Sequence, residues 1–178
     1  LDFMRAQIKN DIEFIARPTP PYHPMTFGMK RDGHPALSMT QHAANKYCQW
    51  LSFQTGHFYR LPTEAEWEFA ARGDLNQKRF PWGNESRPDG DFMCNIFTGS
   101  FPDNNNAEDG WIGTCPVDAF YANNFGLYNC SGNVWEWCND WFGQTYYEQC
   151  KAGVQNPGGP VSGEKRVLRG GCFDWNTK

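Results

Sequence analysis

The chain has 178 residues, of which 39% are apolar, 20% charged and 16% aromatic, including eight Trp, with a formal charge of −4. That length suits one domain, and scattered Lys and Arg in an acidic protein leave no basic stripe for a phosphate backbone, so no nucleic-acid partner is expected. No apolar run approaches the ~18 residues of a membrane span, so no membrane partner is expected either.

Met4, Ile8, Ile12 and Ile15 form a helical stripe that stops before Pro18, because proline disfavours helical backbone in the residue before it. Residues 17–35 hold five Pro and two Gly and read as an ordered loop. Thr40 is placed to cap a second helix, with Ala44, Tyr47, Cys48 and Leu51 on one face and Gly56 as its stop. A third helix is predicted from Thr63 to Arg72, since Thr63 and Glu66 stand in capping-box spacing and Gly73 supplies the stop. Beyond Asp74 the helical period vanishes, and short apolar pieces alternate with Asn, Asp and Gly, which reads as short strands joined by long loops. The runs NNN at 104–106 and QNPGGP at 155–160 mark exposed loop tips.

The seven Cys, at 48, 94, 115, 130, 138, 150 and 172, show no CxxC pair and no Cys/His spacing suited to structural zinc, so most read as small core residues. The aromatic excess predicts a core rich in rings, with Trp67 and the Trp135, Trp137 and Trp141 cluster largely buried. His23, His34, His42 and His57 form no ligand pair and no triad spacing.

Three segments in fixed order, RLPTEAEWEFAARG at 60–73, FPWGN at 80–84 and GLYNCSGNVWEWCNDWF at 126–142, are followed by RVLRGG at 166–171. With the helix before them, they resemble the formylglycine-generating enzyme, or sulfatase-modifying factor, family over residues 34–172. The resemblance implies an α+β fold, irregular and loop-rich, of the C-type-lectin-like kind, with two or three short helices and short strands. Residues 1–178 are then expected to be a single domain truncated at both ends. The family's opening strands and closing Gly-Phe-Arg strand are not found in the chain, and the partner of Cys48, a half-cystine place, would fall beyond Lys178. Because the chain opens at Leu1, localisation is left open.

Asn95 and Asp109 flank a turn-rich loop whose oxygens suit a hard cation such as calcium, although the same residues could simply close turns. The resemblance implies a calcium site made by the side chains of Asn95 and Asp109 with the carbonyls of Ile96 and Trp111. A second candidate comprises Asn129, Gly132, Val134 and Glu136. Glu136, set between two Trp, needs either a cation or a donor, for which Arg169 is available.

In authentic family enzymes a cysteine in a Cys-x-Pro-x-Arg sulfatase segment is oxidised to formylglycine, with copper held by two cysteines. By resemblance, Trp135 lies beside the active-site position and Cys172 stands in a serine place next to it. The first copper cysteine's place is Trp175 and the second falls beyond Lys178. Indole does not replace a thiolate for copper(I), so copper is not expected here and the chain as given is read as inactive in that oxidation. A protein or peptide of the sulfatase type is the implied partner. The alternative reading is a non-catalytic ligand- or protein-binding module of lectin-like fold.

Overall fold

The computed structural model describes residues 26–30, 32–151 and 153–174. The stripe from Met4 to Ile15, most of the proline-rich loop with His23, and Trp175 lie outside the described residues.

Helix α1 spans Gln41–Thr55, and α2 spans Glu64–Arg72. A short 3-10 turn, Pro88–Gly90, precedes the two-residue strands β1 (Gly99–Ser100) and β2 (Asn104–Asn105). Strand β3 is Glu136–Trp141, α3 is Tyr146–Cys150 and β4 is Arg166–Arg169. β1 pairs with β2 and β3 with β4, both antiparallel. Everything else is loop. The stretch NNN is thus no simple loop tip, since Asn104 and Asn105 pair with Ser100 and Gly99. In QNPGGP, Gly159 packs so closely on Asp140 that a Cβ there would lie 2.8 Å from the Asp140 Cβ.

Both predicted caps form. Thr40 Oγ1 accepts from the Ala43 amide, and Gly56 ends α1 in the left-handed conformation. At α2 the capping box closes in both directions: the Glu66 amide donates to Thr63 Oγ1 at 3.2 Å, and the Thr63 amide donates to Glu66 Oε2 at 2.8 Å. Arg60 grips the same carboxylate with two bonds of 2.7 Å. The other end of α2 is fastened from the loop region by Asn123, whose Nδ2 donates to the carbonyls of Ala70 and Ala71, 53 and 52 positions earlier. Gly73 is required here, because at φ 53 a Cβ would stand 2.9 Å from Asn123.

The α2 face carrying Trp67 and Ala71 packs on Cys138 of β3 and Val167 of β4, which together form the apolar core. Asp140 is buried where it accepts from the Glu64 amide at 2.9 Å, so a β3 carboxylate faces the positive end of α2. The indole of Trp137 donates to the Met39 carbonyl just before α1.

A second nucleus is polar. Asn95 and Asn133 are fully buried, and the Asn133 Oδ1 accepts from the Cys115 amide and from Asn95 Nδ2. Asn133 Nδ2 donates back to the Cys115 carbonyl, and the Asn133 amide donates to the Asn95 carbonyl. Gly132 makes this crossing possible, since a Cβ there would collide with the Asn95 carbonyl oxygen.

The expected burial of the Trp cluster is corrected in part. Trp67 is 9% exposed, whereas Trp135 is 41% exposed, and Trp137 and Trp141 are half-buried. Trp135 precedes β3, so the two-residue alternation that turns Cys138 and Asp140 inward does not govern it.

Candidate functional site

Three features surround the segment from Asn129 to Glu136: two candidate cation positions and one cleft.

Asp109 joins the first set directly. Its Oδ2 accepts from the Ile96 amide at 2.9 Å and its Oδ1 from the Trp111 amide at 3.0 Å, so the N–H groups of Ile96 and Trp111, not the carbonyls expected as ligands, meet Asp109. Asn95 spends both Nδ2 hydrogens on Gly113 and Asn133, while its Oδ1 is buried with no partner. In the second set, Asn129 Nδ2 donates to the carbonyls of Pro116 and Val117, and its Oδ1 is likewise buried without a partner. Among the described residues these are the two buried side-chain oxygens left unsatisfied, and both belong to residues singled out as cation ligands. A buried oxygen without a donor is costly unless something positive meets it, so the amide donors fit a hard cation. No cluster of three or more His, Cys, Asp and Glu side chains is found among the described residues, so any such cation would rest largely on amide and carbonyl oxygens.

Glu136 has a partner that the sequence did not suggest. Trp67 Nε1 donates to its Oε2 at 2.6 Å, while Arg169 pairs instead with Glu64 and Glu68. Burial still holds the Glu136 carboxyl above its ordinary value, with the Trp67 bond opposing it. The neighbouring Cys130 thiol is pushed up to about 11 by burial and by the Glu136 charge. Among the described residues no hydrogen bond links Asn129 to Glu136.

The cleft has a volume of about 350 Å3 and is the most apolar of the large cavities, walled by Phe80, Trp82, Phe92 and Met93 and lined also by Cys94 and Cys172. Phe80 and Trp82 stack with parallel rings 5.2 Å apart, which stiffens that wall. Cys172 follows β4 through Gly170 and Gly171, and the next amide, Phe173, is pinned to the Asn133 carbonyl at 3.0 Å. The thiol is raised by burial, against hydrogen bonds from the Asp174 backbone and the Trp135 side chain. Trp135 and Cys172 are therefore neighbours, and Cys172 lines the cleft.

The donor set does not match a paired-thiolate copper site. Trp175 lies outside the described residues, and the second sulfur of the cleft, Cys94, is pushed up to about 12 by burial, with Asp109 and Cys115 adding to the shift. By the resemblance the first copper ligand's place is Trp175, whose indole does not replace a thiolate for copper(I). All seven cysteines are free, with Cys115 and Cys138 fully buried and inert.

Sequence reasoning missed Asn133, the hub of the polar nucleus, and Cys94 as part of the cleft. The only local signal was the Gly-Asn pair in SGN, which favours left-handed backbone, and Asn133 does adopt φ 62.

A loop-rich α+β domain with one capped helix packed on a two-stranded sheet, and a cysteine-bearing cleft beside it, is the class these features define. The chain belongs to the sulfatase-modifying factor enzyme 1-like family, whose profile matches residues 17–178. It is 47% identical over 143 residues to a formylglycine-generating enzyme of Streptomyces coelicolor, covering 80% of this chain and 43% of that protein. It is 41% identical over 140 residues to the inactive C-alpha-formylglycine-generating enzyme 2 of Mus musculus, covering 78% of this chain and 37% of that one. The chain thus spans less than half the length of these curated relatives. Among solved structures, Treponema denticola variable protein 1 superposes with a TM-score of 0.62 at 24% identity, covering 90% of this chain and 67% of that one, which supports the fold alone.

Proposed function

We propose that this domain receives a cysteine-bearing peptide of the sulfatase type in the Cys172 cleft, that structural calcium holds the surrounding loops, and that these 178 residues do not oxidise the peptide to formylglycine. The observation that carries the reading is that Cys172, hydrogen-bonded to the Trp135 side chain, lines an apolar cleft of about 350 Å3. By resemblance these are positions beside the catalytic centre of the authentic enzymes. An apolar groove with a few polar groups is the usual form of a peptide or small-ligand site. The half-exposed Trp135 ring offers a surface for the incoming chain.

Calcium is supported by the two orphaned oxygens of Asn95 and Asn129. Bound there, it would satisfy them and draw the loops around Asp109 and Glu136 together, so its part is to hold the cleft in shape. The absence of oxidation is supported by the residues at the places the resemblance gives to the copper centre: Cys172 sits at a serine place and Trp175 at the first ligand's place.

A second reading, a binding module of lectin-like fold with no catalytic descent in its use, is favoured by the exposure of Trp135. Titrating a Cys-x-Pro-x-Arg peptide while following tryptophan fluorescence tests the proposal. Saturable quenching that Trp135→Ala removes is expected, and no response to this peptide, with a response to unrelated ligands instead, would favour the second reading.

A further inference from the structure

Cys172 sits in a turn that is tied at both flanks to the buried polar nucleus. The Gly132 amide donates to the Gly170 carbonyl at 2.8 Å, and the Phe173 amide donates to the Asn133 carbonyl at 3.0 Å. Gly132 and Asn133 are consecutive, and both rest on Asn95. The Asn133 amide donates to the Asn95 carbonyl at 2.8 Å, and Asn95 Nδ2 donates to Asn133 Oδ1 at 3.2 Å. A Cβ at Gly132 would overlap the Asn95 carbonyl, so the two segments touch without a gap. We infer that Asn133 is a positioning residue for the thiol-bearing turn, and that a cation at Asn95 controls, through Asn133, how readily the turn around Cys172 opens. This coupling rests on the proposed calcium at Asn95 and gives it a route to the cleft and a direction of effect.

The route is a path of adjoining groups. Asn95 is fully buried, yet its Oδ1 meets no donor among the described residues. Such an unmet oxygen is costly, and the remaining polar groups of the same residue, its carbonyl and Nδ2, carry the bonds to Asn133. A cation at Oδ1 removes that cost and fixes Asn95. Fixing Asn95 fixes Asn133, whose carbonyl holds the Phe173 amide one residue beyond the thiol. The other orphaned oxygen belongs to Asn129, whose side chain bonds to the Pro116 and Val117 carbonyls and takes no part in this path.

A segment held by few bonds opens locally at a free energy well below that of global unfolding. The turn from Gly170 to Phe173 has these two backbone ties to the nucleus, so each one matters to its opening. Cys172 is half-buried, and its thiol is fully accessible to a reagent only when the turn opens. Occupancy of the Asn95 site therefore slows reaction of the Cys172 thiol.

The test is the rate at which iodoacetamide alkylates Cys172 at fixed pH, with calcium and with chelator, read by mass mapping of the digested protein. Cys150 of α3, also half-buried, is the internal reference. Calcium is expected to slow Cys172 about tenfold relative to Cys150, a coupling of ordinary size. Phe173→Pro deletes the amide that joins the turn to Asn133, whereas Phe173→Ala keeps it. Calcium should raise the melting temperature of both variants, yet slow Cys172 only in Phe173→Ala. Calcium that stabilises the wild type without changing the ratio of Cys172 to Cys150 labelling overturns the coupling and leaves the calcium reading in place. Retention of the full effect in Phe173→Pro overturns the route through Asn133. If calcium neither stabilises the wild type nor changes the ratio, the calcium reading and the coupling fall together.

Discussion

Trp67 and Glu136, 69 residues apart in sequence, share a 2.6 Å hydrogen bond that joins α2 to the first residue of β3. The indole is buried in the apolar core and the carboxylate lies beside it, so one ring both fills the core and satisfies a charge. Trp67→Phe removes the donor and leaves the carboxylate with no hydrogen-bond partner among the described residues. The expected cost is about 2 to 3 kcal/mol in urea unfolding, combining lost packing with an unmet charge. Trp67→Phe combined with Glu136→Leu should recover part of it, which a double-mutant cycle would reveal.

The capping box at Thr63 gives a second prediction. Thr63→Ala deletes the oxygen that receives the Glu66 amide, and should destabilise the fold by about 1 kcal/mol. Thr63→Ser, which keeps that oxygen, should lie close to wild type. Equal losses in the two variants would count against the cap.

Glu66 also sets an acid dependence. The Arg60 bonds, followed by the Thr63 amide, bring its carboxyl down from 4.5 to about 2 in the folded state. A depressed folded value means the contribution is present in full above the ordinary carboxylate range and is lost as pH falls from about 4.5 toward 2. Half of the Glu66 side chain is exposed, so screening reduces the effect to about 1 kcal/mol. Glu66→Gln should therefore differ from wild type at pH 6 and converge on it near pH 2, as followed by denaturant midpoint.

Calcium should raise the melting temperature, by about 2.7 kcal/mol of stability at a hundredfold excess over the dissociation constant. Asp109→Ala and Asn95→Ala will each lower stability without calcium, because Asp109 receives two amides and Asn95 is fully buried. The informative quantity is the difference between calcium and chelator, which both variants should lose. Identical wild-type melting in the two conditions would remove calcium from the account.

Much of the fold was legible because it is locally encoded. The caps of α1 and α2 depend on Thr40, Thr63, Glu66, Gly56 and Gly73, each acting within a few residues of itself, and all form as expected. What the sequence did not reveal are contacts closed by loops. Nothing near Glu136 identifies Trp67 as its partner over Arg169, and nothing near Cys94 brings it to the cleft of Cys172. The exposure of Trp135 was misread for a related reason: ring size predicts burial on average, but this ring lies just before β3, outside the sheet that buries its neighbours. The candidate cation residues were legible as oxygen donors, and the orphaned oxygens of Asn95 and Asn129 add the physical reason that spacing lacked.

The most direct test of the account is the fate of a peptide thiol. Copper-loaded protein is incubated in air with a Cys-x-Pro-x-Arg peptide, and mass spectrometry follows conversion of the cysteine to an aldehyde. The account predicts binding of the peptide with its thiol unchanged, since Cys172 stands at a serine place and Trp175 at the first copper cysteine's place. Multiple turnovers to the aldehyde, lost in Cys172→Ser, would contradict it.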